Sequence, residues 1–133
     1  MKKTLLLAAA LACSGAVAQE KQVWACQMDE STMLKWENNE WESYRITPHN
    51  LLLTLNSDNT GSIDRSDDDV PFPIECSAAG RNTISCLDEG KWTHFLFRPA
   101  TGKLGESALI GATSDDREYR DSVSVKIFNC TKF

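Results

Sequence analysis

The sequence predicts an all-β domain, a small antiparallel β-barrel or sandwich of about seven to eight strands stapled by disulfides. Three observations carry this expectation. β-branched and other apolar residues recur in short runs with a period of two, turn-forming residues separate the runs at regular intervals, and helical periodicity is scarce. The chain has neither internal repeats nor low-complexity linkers.

Val23 to Met28 is the first strand segment and contains Cys26. Met33 to Trp36 and Trp41 to Ile46 flank Asn38-Asn39, and asparagine tolerates the left-handed conformation that tight hairpins require. With those asparagines as the turn, Trp36 faces Trp41 and Lys35 faces Glu42, both favourable cross-strand pairs. Glu37 opposite Glu40 is unfavourable and argues for a wider turn. Leu51 to Leu55 is the strongest strand, and the polar run Asn56 to Gly61 turns it into Ser62-Ile63. An acidic loop, Asp64 to Asp69, ends at Pro71 and Pro73. Ile74 to Cys76 and Thr83 to Leu87 bracket Gly80-Arg81-Asn82 as another hairpin, followed by the strand Thr93 to Phe97. Ala100 to Lys103 reads as a turn, Ser107 to Ala112 as strand or short helix, and Ser122 to Phe128 as an alternating strand that runs into Cys130.

The N-terminus is expected to direct export. Lys2 and Lys3 precede the apolar run Leu5 to Leu11, and Ala16-Val17-Ala18 has the small-x-small pattern of a signal-peptidase site, so residues 1–18 read as a signal peptide and 19–133 as a single β domain. The apolar run is too short to span a bilayer. Leu11-Ala12-Cys13 loosely follows a lipoprotein box, but Ala10 and Leu11 fit it less well than Ala16 to Ala18 fit ordinary cleavage. Removal of the leader leaves Cys26, Cys76, Cys86 and Cys130, an even set that reads as two disulfides in an exported chain. Cys76 and Cys86 lie on the two arms of one hairpin, which leaves Cys26 with Cys130, first strand to last. No Cys-x-x-Cys motif is present for redox or zinc chemistry.

Several of these segments, Trp24-Ala25-Cys26, Lys35-Trp36-Glu37-Asn38-Asn39-Glu40-Trp41, Ile84-Ser85-Cys86 and the tail from Arg120 to Phe133, are similar to small exported proteins of proteobacteria that have no assigned activity. The resemblance implies a periplasmic address and supplies no site residue.

Charge and motif content narrow the function. The full chain carries a net charge of −5, and loss of the leader removes two lysines and no acid. A more negative mature chain argues against nucleic acid and anionic membrane surfaces. No second apolar run can span a membrane, no cofactor motif occurs, and a monomer is expected. Asn56 to Asp67 superficially follows a calcium loop, but its first ligand is neutral, its last is the short Asp67, and Pro71 blocks an exiting helix, so an ordinary β-turn is the better reading. Asp64, Asp67, Asp68 and Asp69 concentrate charge near Arg65 in a loop that reads as solvated and that could also hold a cation weakly through oxygen ligands or dock a basic partner. His49 and His94 are the near-neutral proton carriers; Ser85 or Ser124 could neighbour His94, yet no nucleophile elbow exposes a serine. Trp24, Trp36, Trp41, Tyr44 and Trp92 are expected mainly to fill a small core; turned outward, Trp36, Trp41 and Tyr44 would form a binding surface.

The resulting expectation is a non-catalytic binding or interaction module of the cell envelope, its partner an envelope protein or glycan. An inhibitor of a basic, lysozyme-type envelope-directed hydrolase is the first alternative, although the short serine- and lysine-containing motifs of known inhibitor barrels are missing. A carboxylate-based hydrolase is the second.

Overall fold

Nine antiparallel strands make up the described residues, and eight of them close into a barrel. The structure is a computed structural model and describes residues 21–90, 92–109 and 122–133. The expected signal peptide, its cleavage site and Cys13 lie outside the described residues. Strand β1 (Gln22–Glu37) turns back into β2 (Glu40–Tyr44), and a meander of β3 (Asn50–Leu55), β4 (Thr60–Arg65), β5 (Phe72–Ala78), β6 (Ile84–Asp88), β7 (Thr93–Arg98), β8 (Lys103–Ala108) and β9 (Ser122–Lys132) follows. Each strand from β3 to β9 pairs with the next, and β1 sits between β3 and β9 to close the ring. Of the two architectures expected, the barrel is the one formed. Closure satisfies the backbone groups that an open sheet would leave at its edges.

Several boundaries differ from the sequence reading: Asp64, expected to open the acidic loop, belongs to β4, and Ile46, expected to end a strand, lies past β2. The segments Val23–Met28 and Met33–Trp36 are one strand, because β9 pairs with β1 from Trp24 to Lys35 across a single bulge at Asp29. Strand β5 begins at Phe72 and takes in Pro73, which lies opposite Ser62. Strand β8 starts at Lys103, inside the expected turn, and ends at Ala108; residues 110–112 lie outside the described set.

Alternation places one face of every strand inside. Trp24, Cys26 and Met28 of β1 meet Leu51, Leu53 and Leu55 of β3, Phe95 and Phe97 of β7, Leu104 and Phe128 in a single core. Trp24 packs edge-on against Phe97 with ring centroids 4.9 Å apart. Both disulfides form as expected. Cys26 and Cys130 are direct cross-strand partners on β1 and β9, as are Cys76 and Cys86 on β5 and β6.

A single bulge then reverses the phase of β1. Met28 pairs with Phe128 and Glu30 with Ile127, so Asp29 is an extra residue on the β1 side. One inserted residue exchanges the two faces of a strand. Trp24, Cys26 and Met28 point inward before the bulge; Ser31, Met33 and Lys35 continue that face after it, and Trp36 is turned out. The expectation that the large aromatics fill the core holds for Trp24 and fails for Trp36 and its partner Trp41, past the bulge, and for Trp92, just ahead of β7; these three are exposed.

The interior is not wholly apolar. Glu106 is buried near the end of the barrel that carries the β1–β2 hairpin. Its Oε1 accepts hydrogen bonds from Lys126 Nζ at 2.7 Å and Arg65 Nη2 at 2.9 Å. Arg65 also lies over the Phe72 ring, 4.9 Å from its centroid. The carboxylate links β4, β8 and β9 across the barrel, and its charge is what allows the Lys126 ammonium to be buried.

Candidate binding surface

The β1–β2 hairpin projects past the point where β3 leaves β1 at the Gln27–Asn50 pair. Asn38 and Asn39 have φ of 53° and 67°, and Glu37 lies opposite Glu40. This is the two-residue turn of type I′, whose twist matches that of the flanking strands. The wider turn expected from the like-charged pair is not formed. Glu37 accepts a hydrogen bond from the Tyr44 hydroxyl at 3.0 Å.

Each face of the hairpin has a distinct chemistry. Outward, Trp36 and Trp41 pair across the strands, ring centroids 5.4 Å apart and planes at 66°. They are 41% and 52% exposed. Leu34 on β1 and Val125 and Ile127 on β9 lie on the same face, where Thr32 and Glu30 stand opposite Val125 and Ile127, and Leu96 lies beyond Gly105, which stands between Ile127 and Leu96 and carries no side chain. Contiguous exposed apolar side chains of this kind mark interaction sites more often than scattered ones do.

The opposite face is polar. Glu37, Glu40, Glu42, Lys35 and Tyr44 share it, in continuity with the barrel interior. The Tyr44 hydroxyl lies 2.9 Å from Glu42 and 3.0 Å from Glu37, and its single proton serves one carboxylate at a time. The hydrogen bond to Glu42 first, and that to Glu37 second, hold the phenol proton and raise its pKa to about 12. Lys35 lies 5.5 Å from the centre of the ring. The three aromatics grouped by sequence are thus split: Trp36 and Trp41 stand on one side and Tyr44 on the other.

The remaining expected residues do not join the hairpin. Asp67, Asp68 and Asp69 lie in the β4–β5 loop, where Asp68 approaches Arg65 at 4.0 Å. The calcium-like segment is a turn. Asp58 accepts hydrogen bonds from both the hydroxyl and the backbone N–H of Thr60, which hold its carboxyl below the usual range. His94 pairs with Ser85, Oγ to Nε2 2.7 Å, on the outside of β6 and β7. Cys26, Cys130, Cys76 and Cys86 are structural crosslinks.

Sequence reasoning missed two surface clefts and the buried charges. A cleft of about 660 Å³ lies where Arg45 to Pro48 crosses the bulge at Asp29 and Glu30. Another of about 630 Å³ lies against β1, β3 and β9 beside Leu52 and Asn129. Lys126 carried a signal: it shares parity with Phe128 and Cys130, so a strand that buries those two also buries the lysine. Comparison with known proteins finds no matching family model and no significantly similar curated protein or solved structure.

The exposure of the tryptophan pair predicts a mild stability effect. Trp41→Ala is expected to cost about 0.5–1.5 kcal/mol, the range for an aromatic pair beyond its burial. Trp24→Ala, in the core, is expected to cost about 3–5 kcal/mol. Thermal melts of the two variants check the contrast; equal losses would show that the hairpin tryptophans are buried in solution.

Proposed function

We propose that this protein is an exported, non-catalytic binding module of the cell envelope that engages a protein partner through the outward face of its hairpin. The observation that carries this reading is the exposed Trp36–Trp41 pair, with Leu34, Val125 and Ile127 also exposed on its face. Tryptophan anchors dominate the energetics of protein interfaces, and the aliphatic neighbours Leu34, Val125 and Ile127 suit a protein surface better than the hydroxyl-rich surface of a glycan. Two disulfides point to an oxidising, exported location. Among the described residues no helix is long and apolar enough to cross a membrane. The resemblance to small exported proteobacterial proteins supports the periplasm as the compartment.

The test is capture from envelope extract with the wild-type protein and with Trp36→Ala/Trp41→Ala, beside a broad hydrolase screen. One protein held by the wild type, and lost at least tenfold in a variant that still melts near the wild-type temperature, is the expected result. Unchanged capture by the double variant would refute the surface, and turnover abolished by one carboxylate substitution would refute the non-catalytic reading. The acidic inner face of Glu37, Glu40 and Glu42 favours inhibition of a basic hydrolase as the second reading, since opposite charge steers association. Inhibition of lysozyme that weakens with salt would support it.

A further inference from the structure

Strand β2 has a neighbour on one side only, β1, and its other edge is unpaired among the described residues. The two-residue turn fixes which backbone groups lie on that edge. Starting from Glu37–Glu40, alternate pairs exchange both hydrogen bonds, so Glu40, Glu42 and Tyr44 bond back to β1. The N–H and C=O groups of Trp41 and Ser43 therefore point away, toward a position where a further strand would lie.

Exposed edges are ordinarily guarded by short length, charged side chains, proline, a bulge or a covering element, and the five residues of β2 with Glu40 and Glu42 carry the first two. Strand β2 reads Glu-Trp-Glu-Ser-Tyr, without proline or lysine, and its register with β1 is unbroken. It is guarded against its own copy. An antiparallel β2–β2 pairing that uses the outward groups of both Trp41 and Ser43 sets Glu42 opposite the Glu42 of the second chain, and like charges directly opposed destabilise a ladder. The same carboxylates invite a different occupant. A strand laid beside β2 would meet Glu40 and Glu42 on one face and Trp41, with the apolar surface behind it, on the other.

We infer that β2 receives an extended segment of the partner protein as an added strand, with lysine or arginine at alternate positions facing Glu40 and Glu42 and apolar side chains on the Trp41 face. This rests on the hairpin being the binding surface and adds the mode of binding and the chemistry of the partner. Main-chain hydrogen bonds to Trp41 and Ser43 supply affinity, and alternation supplies specificity.

The probe is a synthetic peptide of alternating lysine and valine, compared with a peptide of the same composition in which the lysines are grouped. Strand addition predicts at least tenfold tighter binding of the alternating peptide and slowed amide exchange at Trp41 and Ser43 in its presence. Ser43→Pro removes an outward N–H without touching the bonds to β1, and is expected to erase the preference. Glu40→Lys leaves that backbone donor intact and is expected to weaken the alternating peptide severalfold. Equal binding of the two peptides, binding of neither, or protection elsewhere in the barrel would overturn strand addition. Capture of the envelope partner that survives Ser43→Pro but is lost in the tryptophan variant would overturn strand addition while leaving the proposed surface intact. Capture that survives both would overturn the two together.

Discussion

Alanine at both Cys26 and Cys130 is expected to lower the unfolding free energy by about 4–5 kcal/mol, roughly twice the loss from removing the other bridge. The difference is one of chain entropy. The Cys26–Cys130 bridge spans a sequence separation of 104 residues and Cys76–Cys86 only 10. A crosslink restricts the unfolded chain in proportion to the logarithm of the loop it closes, which gives about 2–3 kcal/mol for the short bridge. The long bridge also sits on the β1–β9 seam, where the first and last strands of the barrel meet. Urea unfolding of the two double variants, without reductant, measures the difference. Equal losses would mean that local packing around the sulfurs outweighs loop closure.

Removing the buried carboxylate is expected to be comparably severe. Glu106→Ala leaves the Lys126 ammonium inside the barrel without its counterion, and such uncompensated charges cost about 3–5 kcal/mol. Arg65 retains a route to relief, since its side chain is partly exposed and Asp68 stands 4.0 Å away. The informative comparison is the double variant Glu106→Leu/Lys126→Met. It removes both charges and fills the space with apolar atoms, so most of the lost stability is expected to return. A double variant as unstable as Glu106→Ala would show that the pair contributes more than mutual neutralisation. Chemical denaturation of the three proteins decides the matter.

The Cys76–Cys86 pairing and the place of the hairpin turn were legible because each rests on local chemistry, two cysteines on facing arms and two asparagines that tolerate positive φ, whereas the like-charged Glu37–Glu40 pair misled as to the turn's width. The barrel followed from alternation and from the Cys26–Cys130 link, which sets the last strand beside the first. What was not legible depends on phase. Trp24, Cys26 and Trp36 occupy even-numbered positions of one strand, and uninterrupted alternation would bury them all; the extra residue at Asp29 reverses the second half. Nothing in Met28-Asp29-Glu30 announces a bulge. Tyr44 was grouped with Trp41 because both are aromatic, although three residues apart on a strand means opposite faces. The Arg65–Glu106–Lys126 cluster joins residues far apart in sequence, and only closure of the barrel brings them together.

The meander has a kinetic side. From β3 to β9 each strand pairs with its immediate neighbour in sequence order, so this part of the sheet can assemble stepwise. The seam cannot. Strand β1 precedes the others in the chain and must wait for β9, with Cys26 unpaired, while Cys76 and then Cys86 follow it in sequence order. An oxidant acting on consecutive thiols would join Cys26 to Cys76 before the correct partner exists. The barrel's closing step is thus also its point of greatest exposure to misoxidation, and its yield of native chain depends on how quickly a wrong first bridge can be reshuffled.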